Sequence, residues 1–113
     1  MADSVEELLE EVSQMEDFGY ANLEAACRKE KVPNKPGIYK IFYQGKLMKI
    51  DLAKEGLRQK FIEYYQGNGE HIDQEIRGEI RVKWRICKPG QLSKVVDKML
   101  QEAKEDGKDL PWQ

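Results

Sequence analysis

The chain has 113 residues, of which 40% are apolar and 35% charged, the size of one domain that buries roughly two-thirds of its unfolded surface. No stretch approaches the ~18 apolar residues of a membrane helix, which excludes such a span. The acidic start Met1-Ala2-Asp3-Ser4-Val5-Glu6-Glu7 lacks the basic-then-apolar order of a secretory signal, so a cytoplasmic protein with no membrane partner is expected. Cys27 and Cys87 form neither a CxxC redox pair nor a metal knuckle, and the single histidine, His71, excludes most zinc and Ser-His-Asp chemistries.

The net charge of −2 hides a strong asymmetry. Residues 1–30 hold nine acids and two bases, residues 31–99 eight acids and fifteen bases, and residues 100–113 four acids and two bases. A basic middle behind an acidic N-terminus is a distribution that draws a polyanion to one part of a surface, although Lys and Arg also serve simply to solvate helix faces.

In chain order, Val5, Leu8, Leu9, Val12 and Met15 recur at helical spacing, and Ser4 with Glu7 forms a capping box, which predicts a first helix. A break at Phe18-Gly19-Tyr20 precedes a second, short helix over Asn22 to Lys29, with Leu23, Ala26 and Cys27 inward. The pair is expected to form an acidic hairpin, residues 1–30, added to a domain spanning 31–113. After the loop Val32 to Gly37, Ile38 to Tyr43 reads as a strand, Gln44-Gly45-Lys46 as a tight turn and Leu47 to Ile50 as its hairpin partner. Leu57, Phe61, Tyr64 and Tyr65 mark a helix that starts near Lys54 to Gly56 and stops at Gly67-Asn68-Gly69. Residues 70–79 are polar and ambiguous. Ile80 to Ile86 alternates apolar with cationic, a strand with one packed face and one basic stripe. The last helix carries Leu92, Val95, Val96, Met99, Leu100 and Ala103 and stops near Gly107, and the tail ending in Trp112 is expected to fold back. The fold class is α+β: a small, mainly antiparallel three-stranded sheet flanked by helices, with the added N-terminal hairpin.

Pro36-Gly37-Ile38-Tyr39-Lys40-Ile41, a glycine turn, Met48-Lys49-Ile50 and a helix carrying Leu57-Arg58-Gln59-Lys60-Phe61 together resemble the opening of the GIY-YIG nuclease superfamily. Val82-Lys83-Trp84, Asp97 and Leu110-Pro111-Trp112 stand where that family has a third strand, a metal-binding acid and a terminal proline segment. The resemblance covers residues 33–113; its first motif matches letter for letter and the later ones approximately. It implies a GIY-YIG-like fold and a phosphodiesterase site in which Tyr39 lies beside the nucleophilic water. Lys60 takes the place of the arginine that steadies the scissile phosphate, with Arg58 two residues earlier on a different helix face, and Asp97 takes the place of the metal-binding glutamate. A divalent metal, Mg²⁺ or Mn²⁺, is implied only if that site is active. Lys lacks the bidentate fork of arginine, Lys49-Ile50-Asp51 replaces Tyr-Ile-Gly, and Gln113 replaces a final asparagine. These departures imply a retained fold with cleavage weakened or lost.

Apart from the resemblance, Arg81, Lys83 and Arg85 in line, with Lys49 and Lys60, can contact phosphates without reading sequence. The competing explanation is a charged edge strand that protects itself from aggregation. Tyr39, in the alternation Tyr39, Ile41, Tyr43, is by itself more often a core or sheet-face residue than a proton shuttle. Three functions therefore stand: a nucleic-acid-binding domain, with DNA the expected partner and endonuclease activity weakened or lost; an active metal-dependent DNA endonuclease; and an interaction module that docks a protein through its acidic helices.

Overall fold

The computed structural model describes residues 19–28, 31–67 and 71–113. In chain order these form strand β1 (Gly19–Asn22), helix α1 (Leu23–Ala26), strands β2 (Gly37–Tyr43) and β3 (Lys46–Ala53), helix α2 (Leu57–Tyr65), strand β4 (Ile80–Ile86) and helix α3 (Leu92–Glu105). The α+β class and the hairpin of β2 and β3 agree with the sequence expectation. The sheet does not: it has four antiparallel strands in the order β1-β4-β2-β3. The extra strand is Gly19–Asn22, which takes in Gly19 and Tyr20 of the expected break and Asn22 of the expected second helix, and it pairs with Trp84 through Arg81. The first expected helix lies outside the described residues. The second is realised as the single turn α1, whose first N–H groups are capped by Asn22 Oδ1 accepting from Ala25 N at 2.7 Å.

Local chemistry accounts for each junction. Gln44 and Gly45 both have positive φ, 53° and 78°, as a two-residue hairpin loop between twisted strands requires. At the start of α2, Leu57 N donates to Lys35 O at 3.0 Å and Gln59 N donates to Asn34 Oδ1 at 3.0 Å, so the preceding loop satisfies the helix's first donors. Gly56 is needed there because a Cβ would collide with the Asn34 amide. Helix α3 ends in a Schellman turn, with Gly107 N bonding to Lys104 O and Lys108 N to Ala103 O, and Gly107 at φ 72°.

The alternation of the strands divides the core in two. On one face, Tyr39 and Ile41 of β2, Ala53 of β3 and Ile80, Val82 and Trp84 of β4 pack against Leu23 and Ala26 of α1 and Leu57, Phe61 and Tyr64 of α2. On the other, Ile38 and Ile50 pack under Leu92, Val95, Val96, Met99 and Ala103 of α3. Residues 19–26 thus belong to the same sheet and core as the rest. Gly19 lies directly beneath the indole of Trp84, where any Cβ would collide with the ring. The tail folds back as expected: Trp112 stacks between Tyr43, at 5.8 Å, and His71, at 5.6 Å. Trp112 N donates to Met48 O, and Gln113 Oε1 accepts from Ile50 N, both at 3.0 Å. Among the described residues no helix is long and apolar enough to cross a membrane.

Candidate functional site

Tyr39 projects into the closed face of the sheet and is 1% exposed. Its ring meets Phe61 edge-on at 5.6 Å and Tyr64 at 6.0 Å, and its hydroxyl shares a 3.0 Å hydrogen bond with the hydroxyl of Tyr64. Burial pushes its pKa well above the ordinary tyrosine value, and the neighbouring Tyr64, Asp51 and Glu63 push it further in the same direction. The group is therefore a neutral phenol at physiological pH. It can exchange a hydrogen bond with Tyr64, but it does not supply a tyrosinate base.

Around Tyr39 the structure gathers some of the expected residues and separates others. Lys49 and Asp51 lie on the same sheet face as Tyr39, since Asp51 pairs with Tyr39 and Lys49 with Ile41 across the strands. Lys49 Nζ stands 3.6 Å from the Asp51 carboxylate, whose other oxygen accepts from Leu52 N at 2.8 Å. Asp51 thus brings a negative charge to the position where the resemblance expects glycine. On α2, Lys60 Nζ lies 3.9 Å from Glu63, and both line a shallow recess of about 280 Å³. Arg58 Nη1 turns instead towards the carbonyl of Val32, at 3.5 Å. Asp97 is exposed on α3. Because α3 covers the Ile38–Ile50 face, the sheet itself stands between Asp97 and the Tyr39 cluster. Among the described residues no three His, Cys, Asp or Glu side chains converge on a point that could hold a metal ion, so Asp97 is not part of a carboxylate cluster there.

The cations of β4 form a different surface. Ile80, Val82 and Trp84 are buried on the closed face, so the alternating Arg81, Lys83 and Arg85 lie on the other. Strand β4 runs between β1 and β2. Over Arg81–Trp84 it is an interior strand, so edge protection does not account for Arg81 and Lys83. Lys49, grouped by sequence with these cations, lies on the opposite face.

Cross-strand register builds two rows on this face: Tyr20, Lys83 and Lys40 in one, with Lys40 bordering α3, and Arg81 and Phe42 in the next. Lys83 Nζ sits 5.5 Å from the ring centre of Tyr20 and 5.6 Å from that of Phe42, within cation–π reach. The two rings meet edge-on at 6.3 Å. Tyr20 is 56% exposed. Together with Arg81, Glu79 and two glycines these residues line an open cleft of about 840 Å³. Sequence reasoning missed both aromatic members. Phe42 carried a signal, since it shares the Ile38, Lys40, Phe42 periodicity that points away from Tyr39. Tyr20 carried none, because a four-residue strand is defined only by the partner it pairs with.

Comparison of the chain with protein-family models, with curated proteins and with solved structures gave no match.

Proposed function

We propose that this chain is a GIY-YIG-like domain that binds nucleic acid, DNA in the first instance, through the outward face of β4, with endonuclease activity weakened or lost. The observation that carries the reading is the line of Arg81, Lys83 and Arg85 on one face of an interior strand, beside two accessible aromatic rings. Where β1 and β2 flank it, over Arg81–Trp84, the strand has no exposed backbone to protect, so Arg81 and Lys83 call for another purpose, and phosphate contact is the chemistry that a row of Lys and Arg serves best. The weakened-cleavage half of the proposal draws on the positions that the resemblance singles out. Tyr39 is sealed in the core as a neutral phenol, Lys60 replaces a bidentate arginine, and Asp97 stands across the sheet. A cytoplasmic setting accords with the proposal.

The decisive measurement is a salt series of DNA binding beside a plasmid-nicking assay with Mg²⁺ or Mn²⁺. Binding is expected to weaken linearly in log salt, and the slope to fall by about 0.9 for each phosphate contact removed, here with Arg81→Gln and Lys83→Gln. Little or no nicking is expected from the wild type. Metal-dependent nicking that vanishes in Tyr39→Phe and Asp97→Ala would replace this reading with that of an active endonuclease. Absence of DNA binding at low salt would replace it with a protein-docking module.

A further inference from the structure

The cleft beside β4 offers more than charge. The sheet buries Tyr39, Phe61 and Trp84, and α3 closes the Ile38–Ile50 half of the second face. Against that economy, Tyr20 stands more than half exposed, and Phe42 is only partly covered beside it. Their contact sets the edge of one ring towards the face of the other, with planes at 66°, so the two rings are not stacked together. Lys83 reaches both rings and Arg81 flanks Phe42 in the register of the sheet. The rim is low: Gly45 and Gly78 contribute no side chain, and the space where a Cβ would stand at either is empty. A volume of about 840 Å³ falls in the range, about 300–1,000 Å³, that holds a compact organic ligand.

We infer that this cleft is a stacking subsite for single-stranded polynucleotide, in which unpaired bases lie on Tyr20 and Phe42 while Lys83 and Arg81 take the adjoining phosphates. The inference rests on the nucleic-acid reading proposed above and narrows it. A duplex keeps its base faces stacked inside and presents only its backbone and groove edges, so exposed rings on a sheet gain nothing from it. A single strand can splay a base onto each ring, and stacking tolerates any base because every base has a π-face. Glu79 is the opposing charge in the cleft. It repels a phosphate, which places the backbone on the Arg81 and Lys83 side and leaves the base to reach the rings.

The test uses the full chain and fluorescence polarisation with labelled oligo(dT), oligo(U) and a DNA duplex of the same length. At one fixed salt concentration both single strands are expected to bind more tightly than the duplex. Tyr20→Leu and Phe42→Leu should each weaken single-strand binding by about fivefold or more, while duplex binding changes little. Tyr20→Trp should keep or improve it, and thermal melting of each variant confirms the fold. Binding of oligo(dT) and oligo(U) alike, or of one above the other, supports the inference and separates DNA from RNA as the source of the strand. Two results overturn it: a duplex that binds as tightly as the single strands, or a Tyr20→Leu effect equal on both. In that case the phosphate-binding proposal survives, whereas loss of all nucleic-acid binding removes both.

Discussion

The two faces of this sheet are built from alternate residues of the same strands, yet they have opposite fates. On the Tyr39 face, α1 and α2 cover the strands with aromatic and branched side chains, and Tyr39, Ile41, Ile80, Val82, Leu57 and Phe61 are almost wholly excluded from water. On the other face, α3 covers only the part built by β2 and β3, and the part built by β1 and β4 carries Tyr20, Arg81, Lys83 and Arg85. The contrast lies in what accompanies the cations: Arg81 and Lys83 stand beside the part that α3 covers, whereas Lys49, on the Tyr39 face, is paired with Asp51. It also separates two ideas that the sequence had run together, a catalytic reading centred on Tyr39 and a binding reading centred on β4.

The closed face depends most on Phe61, which touches both Tyr39 and Trp84 through edge-on ring contacts. Phe61→Ala should cost about 3–5 kcal/mol in denaturant unfolding; a loss below 1 kcal/mol would mean that the closed face is not the main core. A smaller effect is expected at the hydroxyl pair. Tyr39→Phe leaves the Tyr64 hydroxyl without its partner and should cost about 1 kcal/mol. It also changes the response to alkali. A phenol whose pKa is raised by folding holds its proton longer than the same group in the unfolded chain, which titrates near pH ~10. Its stabilising contribution is complete below that pH and is lost as pH climbs above it towards the folded value. The variant should show a shallower alkaline decline in stability, and a decline of unchanged steepness would argue against burial of this hydroxyl. The smallest effect belongs to the open face: Arg81→Gln, at an exposed site whose guanidinium makes only a long 3.5 Å contact to Ile80 O, should leave stability within about 0.5 kcal/mol while reducing the salt slope of DNA binding.

Much of the fold was legible. The alternation from Ile80 to Ile86 announced β4 and its basic stripe, and the spacing of Leu92, Val95, Val96 and Met99 announced α3 and placed Asp97 outside its buried line. The site was less legible, for physical reasons. In Ile38-Tyr39-Lys40-Ile41-Phe42-Tyr43 both strand faces are largely apolar, so periodicity does not reveal which one is sealed. The side of the sheet on which each helix packs is a tertiary choice, and it decides whether Tyr39 and Asp97 can meet. Strand β1 contributes Gly-Tyr-Ala-Asn, with little strand propensity of its own; it is held by pairing to β4, some sixty residues away, and by an indole that only glycine can lie beneath.

The returning tail gives the sheet a finished side. Backbone groups along the outer margin of β3 are the kind that recruit a second chain into continuous β-structure. Here Met48 O and Ile50 N are instead occupied by Trp112 and Gln113 of the same molecule. Shortening the chain by these two residues would remove the Trp112 ring contacts and also open this margin of β3 to intermolecular strand addition.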